Sequence, residues 1–222
     1  MPDSFQIRVC ENPDCGLRYP LVDGHPYGER CPACLGRTRQ ALTRDLPQPE
    51  SERSAGPKLK LEALLDNIRS AWNVGAIFRT ADGLGVRRLY LCGITPTPDN
   101  RVLEKTALGA ERSLPWEYAR NALELAGRLK ADGYALIALE QDQRAVPLTG
   151  FQLKQPEARS LAIVLGNEIT GIDPGLLDLC DHILQIPMLG MKRSLNVEVV
   201  FGIAAFTLSR QFTRSGTELP RD

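Results

Sequence analysis

Cys10, Cys15, Cys31 and Cys34 form the pattern C-x4-C-x15-C-x2-C near the amino terminus. Four thiols so grouped serve one of two chemistries: a pair of disulfides, or one tetrahedral ion held by thiolates. In RCPACLG the second pair is separated by Pro32 and Ala33 and followed by Gly36, a compact turn that lets two thiolates reach one ion. The first pair, in VCENPDCGLRYP, is a looser knuckle with Gly16 behind it. The opening MPDSFQIRVC lacks an apolar signal core, which predicts a cytoplasmic protein and favours zinc over disulfides. His25 is a ligand type in the same stretch, but four thiolates already complete the shell. Cys92 and Cys180 stand alone and are expected to be small buried hydrophobes.

Three further stretches combine glycine with asparagine and charged or hydroxyl side chains. In DNIRSAWNVGAIFRTADGLGV, Asn73 is placed to cap a helix starting at Val74 or Gly75, and Arg79 projects about a turn and a half later. Helix amino termini favour anions, so this pair suits an anion pocket; a plain cap beside a surface arginine is the competing reading. In LAIVLGNEITGIDPGLL an apolar run ends in Gly166, Asn167 and Glu168, where backbone and carboxylate are both open to a ligand. In IPMLGMKRSLNVEVVFGIAAF, Pro187 ends a strand pattern, Gly190 permits a sharp loop, Ser194 stands where an amino cap is wanted, and Asn196 falls just inside the helix.

What must position these loops is an alternation of short apolar runs and helical patterns. LKLEALL, RRLYLCG, YALIALE, LAIVLG and HILQIP read as strands. Residues 75–84, 121–131 and a long stretch from Ser194 to about Phe212 read as helices. The pattern predicts an α/β domain with a mostly parallel sheet, helices on both faces, and ligands at the carboxyl ends of strands. Three polar loops at such ends would converge on one edge.

The 222-residue chain is 43% hydrophobic and 24% charged, which excludes general disorder, and no apolar run approaches a membrane span. Lysine plus arginine and aspartate plus glutamate are both 27, so a polyanion would have to be met locally, for instance by Arg69, Arg79, Arg87 and Arg88 around the single Asp82. DLPQPESERSAGPK reads as a linker. The expected organisation is a cysteine module over 1–44, a linker over 45–57 and a main domain over 58–222.

NVGAIFRTADGLGV, LAIVLGNEITGI and IPMLGMKRSLNVEVVFGIAAF resemble, in order and spacing, the three motifs of the SpoU (TrmH-like) RNA 2′-O-ribose methyltransferases of the SPOUT superfamily. KTALGAERSLPW, residues 105–116, is similar to that family's intermotif segment. The resemblance covers roughly Leu61 to Phe212 and leaves the cysteine module outside. It implies a carboxyl-terminal trefoil knot cradling S-adenosylmethionine, a homodimer, and tRNA or rRNA as substrate. It further implies that Asn73, Arg79, Glu168, Ser194 and Asn196 are catalytic or substrate-side, and that Leu165, Gly166, Asn167, Ile186, Met188 and Leu195 wrap the cofactor. Glu198 and Val200 stand where the family more often has small residues.

On that reading a ribose 2′-hydroxyl attacks a sulfonium methyl, and Arg79, always protonated, holds a phosphate and stabilises negative charge on the oxygen instead of acting as a base. Asn73, Ser194 and Asn196 would orient the ribose and loops, while Glu168 would fix Arg79 or the loop backbone. The cysteine module with Arg69, Arg87 and Arg88 would grip RNA backbone. Two rivals are a nicotinamide oxidoreductase and a non-catalytic zinc-ribbon RNA-binding adaptor with a knotted domain. The first fails because Gly83 and Gly85 follow a helix and Arg88 breaks the fingerprint. The second is opposed by the presence of all five polar candidates.

Overall fold

In the computed structural model, residues 3–22, 28–46, 60–153 and 160–213 are described. The chain divides into two compact units, Met1–Ser54 and Ala55–Asp222. Most of the linker anticipated over 45–57, and His25, lie outside the described residues.

The first unit is an antiparallel sheet of β1 (Ser4–Cys10), β2 (Arg18–Val22) and β3 (Thr38–Asp45), with β1 in the middle. Its cysteines sit on the turns and strand ends: Cys10 closes β1, and the turns around Cys15 and Cys31–Cys34 follow. Arg8 is 5% exposed, and its guanidinium donates to the Thr38 hydroxyl and carbonyl and to Gln6 Oε1, with Glu29 at 3.5 Å. A buried arginine so satisfied ties the middle strand to the chain that carries the second cysteine pair.

The second unit is built on a seven-stranded sheet: β4 (Lys60–Asp66), β5 (Arg88–Cys92), β6 (Trp116–Ala119), β7 (Ala135–Leu139), β8 (Val146–Pro147), β9 (Ser160–Leu165) and β10 (His182–Gln185). Their spatial order is β6-β5-β4-β9-β7-β10-β8, and every pairing is parallel. β7 and the body of β9 are apolar on both faces because both faces are covered. Along β4, Leu61, Ala63 and Leu65 point into one core, shared with Ile77 and Phe78 of α1 (Ala71–Gly83), Leu103 of α2 (Arg101–Ala107), Ala110 of α3 (Ala110–Ser113) and Phe201 and Leu208 of α6 (Val197–Thr213). Leu64 points the other way, toward Leu125 and Leu129 of α4 (Ala122–Ala131) and Leu176 of α5 (Pro174–Leu179). Period-two alternation thus splits one strand between two cores.

Gly75 lets α1 and α2 touch, since a Cβ there would meet Thr106 Oγ1 at 2.1 Å and the Leu103 carbonyl at 2.3 Å. β6, β8, α2, α3 and α5 extend what strand and helix patterns alone predicted. Cys92 is buried in the second core, and burial pushes its thiol up to about 12. Cys180 is half-buried, and its thiol donates to the Leu176 carbonyl. No helix among the described residues is long and apolar enough to cross a membrane.

Candidate active site and cysteine cluster

The carboxyl ends of β9, β7 and β10 open into a cup of about 550 Å³. Leu139, Leu165, Leu184, Ile186, Val197 and Val200 supply apolar wall, and Asn73, Glu140, Glu168, Ser194 and Asn196 supply polar edge. Gly166, Asn167, Met188 and Leu195 line it as well. The three loops singled out in the sequence therefore do converge.

Two capping assignments are corrected. Helix α1 starts at Ala71, capped by the Ser70 hydroxyl, which accepts from the Asn73 amide. Ser70 reaches the third amide of the helix, so Asn73 lies inside the first turn with its side chain free for another purpose. At α6 the cap is Asn196, whose Oδ1 accepts from the Glu198 amide, and the helix begins at Val197, not at Ser194. Ser194 remains exposed on the loop edge.

Released from capping, Asn73 bridges the loops. Its Nδ2 donates to Glu168 Oε1 at 2.9 Å, and its Oδ1 accepts from Asn196 Nδ2 at 3.1 Å. Glu168 also accepts from the amides of Arg69 at 2.9 Å and Ser70 at 3.1 Å. These bonds tie Glu168 to the backbone just ahead of α1. Partial desolvation pushes the Glu168 pKa up, but the amide of Arg69, followed by the Asn73 and Ser70 donors, outweighs it and holds the carboxyl below its ordinary value. A carboxyl with a depressed folded pKa stabilises the fold above its unfolded pKa, and that contribution disappears as pH falls through the folded value. The melting-temperature advantage of the native chain over Glu168→Gln should be full above the ordinary glutamate range and be lost progressively as pH falls below it, through the depressed folded value. A constant difference across a pH series of thermal melts would contradict this assignment.

Arg79 is not among the residues lining the cup. It lies with Ala76, Thr80, Lys105, Thr106 and Glu198 around a second cavity of about 440 Å³. Asn196 borders the first cavity and Glu198, two residues on, borders the second. Lys105 sits 5.9 Å from the centre of the Trp72 ring, and the Thr106 hydroxyl donates to the Trp72 carbonyl. Arg79 and Lys105 together make this a cationic notch suited to a phosphate. Arg88, by contrast, pairs with Glu117 at 3.2 Å, a partner that β6 brings alongside β5. Its charge is locally answered.

Several residues of the site were not anticipated. Glu140 follows β7, where its carboxylate accepts from the amides of Ile172 and Gln141 at 3.0 and 2.9 Å and braces the β9 loop. Asp66 and Asn67 do the same from β4: Asp66 accepts from the Asp173 amide, and the Asn67 carbonyl accepts from Asn167 Nδ2. Burial, foremost, pushes the Asp66 carboxyl up. The available signal was position, because polar residues directly after an apolar parallel strand lie where ligands bind.

In the first unit, the Sγ atoms of Cys10, Cys15, Cys31 and Cys34 lie within 4.8 Å of one another. Cys10 and Cys34 are 3.4 Å apart and Cys15 and Cys31 are 3.7 Å apart. With Zn–S near 2.3 Å, a tetrahedral site needs sulfur separations of about 3.8 Å, so the cluster fits that ion. The amide of Cys34, foremost, helped by that of Ala33 and opposed by burial, brings the Cys31 thiol down to about 7.

A parallel sheet with helices on both faces and a polar-edged cup at its strand ends defines an α/β protein with a candidate ligand site at the carboxyl ends of its strands. Residues 60–206 match the SpoU rRNA Methylase family. The chain belongs to that family. It is 29% identical over 159 residues to the tRNA (guanosine(18)-2′-O)-methyltransferase of Escherichia coli (strain K12), covering 72% of this chain and 67% of that one. It is 32% identical over 157 residues to the 23S rRNA (guanosine-2′-O-)-methyltransferase RlmB of Bordetella pertussis (strain Tohama I), covering 70% and 61%. Among solved structures, the A. aeolicus TrmH/SpoU tRNA modifying enzyme superposes with a TM-score of 0.63 at 27% identity over 72% of this chain and 79% of that one. The AdoMet-bound rRNA methyltransferase from Sinorhizobium meliloti gives 0.63 at 26% identity over 68% and 56%. The chain thus spans between about half and four fifths of these relatives, and its cysteine unit lies outside the family match.

Proposed function

We propose that this chain is an S-adenosylmethionine-dependent methyltransferase acting on a ribose 2′-hydroxyl of tRNA or rRNA. The observation that carries the reading is the hydrogen-bonded bridge Glu168–Asn73–Asn196, which locks three strand-end loops around one cup. The cup has the volume and the mixed lining of a small-molecule site. S-adenosylmethionine would supply an electrophilic methyl on sulfonium there, held by Leu165, Gly166, Asn167, Ile186, Met188 and Leu195. The resemblance to a structure with that donor bound supports this choice.

The polar edge then faces the RNA. Asn73, Ser194 and Asn196 orient the ribose, while Glu168 fixes the loop from which α1 starts. Arg79, with Lys105 beside it, holds the neighbouring phosphate and stabilises charge on the 2′-oxygen as its proton leaves to that phosphate or to water. The knotted path of the carboxyl-terminal chain, a homodimer and a cytoplasmic location belong to the same proposal. The dimer is supported by Val199, Ile203 and Phe206, exposed at helical spacing along α6. Calorimetric titration with S-adenosylmethionine, followed by labelled-methyl transfer to total RNA and nucleoside analysis, tests the activity. Recovery of 2′-O-methyl nucleosides is the expected result. Donor binding without any transfer would leave the non-catalytic adaptor as the better reading.

The cysteine unit binds zinc through Cys10, Cys15, Cys31 and Cys34. A sheet of this size buries too little apolar surface to stand alone, so the ion supplies its folding free energy. A strong chelator should release about one zinc per chain and make residues 3–46 protease-sensitive, while S-adenosylmethionine binding by the second unit persists. Retention of a protected amino-terminal unit after complete metal loss would refute the metal's structural role.

A further inference from the structure

The two faces of the amino-terminal sheet differ in kind. Antiparallel partners project to the same side, so the register assigns each side chain to a face. One face carries Arg8 and Cys10 of β1 with their partners Tyr19, Gln40 and Thr38. It is the inward face: Arg8, Cys10 and Tyr19 are 5%, 4% and 9% exposed.

The opposite face is laid out in rows across the sheet. Val9 lies between Arg18 and Arg39, Ile7 between Pro20 and Leu42, and Phe5 between Val22 and Arg44. The register shift between Ile7 and Arg8 absorbs Ala41 and keeps Arg39, Leu42 and Arg44 on this one side. Phe5, Ile7 and Val9 are only half-buried, and Arg18, Arg39 and Arg44 are exposed. None of these arginines enters an ion pair or a side-chain hydrogen bond among the described residues, and no acidic residue occurs in the rows. Of the nearby acids, Asp45 and Glu29 belong to the other side, Asp45 through its pairing with Ser4 and Glu29 through its contact with Arg8, while Asp3 and Glu11 lie beyond the two ends of these rows.

We infer that this face is a binding platform for single-stranded RNA, with Arg18, Arg39 and Arg44 on phosphates and Phe5 stacking a base. The inference rests on the RNA-directed activity proposed above and adds the surface that engages the substrate outside the methyl-transfer cup. A polyanion is the partner that this charge asymmetry selects. Arginines that already have acidic partners, as Arg88 does, would gain little from one, whereas these three have no side-chain partner among the described residues. A sheet face presenting one aromatic ring beside guanidinium groups suits a splayed single strand, which offers both phosphates and open base faces, better than a duplex whose bases are stacked away.

The test uses the zinc-loaded full chain and a fluorescein-labelled mixed-sequence single-stranded RNA, without S-adenosylmethionine, across a salt series. The triple variant Arg18→Gln/Arg39→Gln/Arg44→Gln should weaken binding roughly 10- to 100-fold and flatten the slope of log K against log salt by about two, near 0.7 for each phosphate no longer neutralised. Phe5→Ala should weaken binding roughly 5- to 100-fold with the slope nearly unchanged. Zinc content of both variants, measured alongside, must match the native chain, which separates weakened RNA binding from failed folding. Native affinity in the triple variant overturns the inference. So does an equal loss for a duplex RNA of the same length, or a change in sedimentation with RNA affinity intact, which would make this a protein-docking face. The methyl-transfer reading stands or falls separately, because donor titration does not involve these residues.

Discussion

Replacing Arg79 by alanine is expected to reduce methyl transfer about 10²- to 10³-fold or more while S-adenosylmethionine titrates into the protein with nearly unchanged affinity. The division follows from where the side chain lies. Leu165, Gly166, Ile186 and Leu195 line the cup, whereas Arg79 lines the neighbouring cavity with Lys105, Thr106 and Glu198. A guanidinium stays protonated at any working pH, so what it loses on truncation is a fixed positive charge and a forked donor, not a base. Arg79→Lys should recover part of the rate, because charge returns without the fork. Single-turnover transfer and calorimetry on the same preparations decide the matter. If donor affinity fell as far as the rate, Arg79 would belong to the donor site and the two-cavity division would be wrong.

The second large effect is expected at Gly166. A Cβ at this residue would meet the Ile172 amide nitrogen at 2.2 Å and the Gly171 carbonyl carbon at 2.3 Å. These are backbone atoms that cannot rotate away. They are also held in place: Asn167 and Gly171 exchange backbone hydrogen bonds at 3.0 and 2.9 Å, and Glu140 fastens the Ile172 amide. Gly166→Ala must therefore push the 167–171 turn off the end of β9, deforming the cup and carrying Glu168 away from the amides of Arg69 and Ser70. Loss of the Glu168 bonds alone is worth about 1–3 kcal/mol. Donor affinity should fall at least tenfold with a clear drop in melting temperature. The exposed control Gly190→Ala, where an added Cβ meets nothing within 4 Å, should leave the melting temperature unchanged. A Gly166→Ala chain that melted and bound donor like the native one would show that the turn is not a wall of the donor site.

Both predictions depend on residues that the amino-acid sequence already marks, but for different reasons. Gly166 ends an apolar run, and a glycine directly after a buried strand has few purposes other than close approach of backbone or ligand. Arg79 could be read only as a cation on a helix. That it would stand beside Lys105, and outside the cup holding Asn73, depends on α2 packing across α1 through Gly75.

Local residue patterns set the elements and their class. Continuous apolar runs such as LAIVL specify strands covered on both faces, helical spacing specifies the helices between them, and four closely spaced cysteines mark the residues whose sulfurs cluster. All of these follow from interactions over a few residues, which a linear reading can count. The partners came from contacts between distant parts of the chain. Asn73 is a bridge, not a cap, because Glu168 lies 95 residues and Asn196 lies 123 residues along the chain from it, and only strand order brings them together. Ser70 and Asn196 took the capping duties by a margin of one hydrogen-bond geometry that propensity does not resolve. Arg88 lost its free charge to a strand added at the sheet edge, and Glu140 joined the site from a strand whose own sequence carries no motif. Hydrogen bonds and ion pairs are directional and short, so they record where the chain has folded, while hydrophobic periodicity records only that it must.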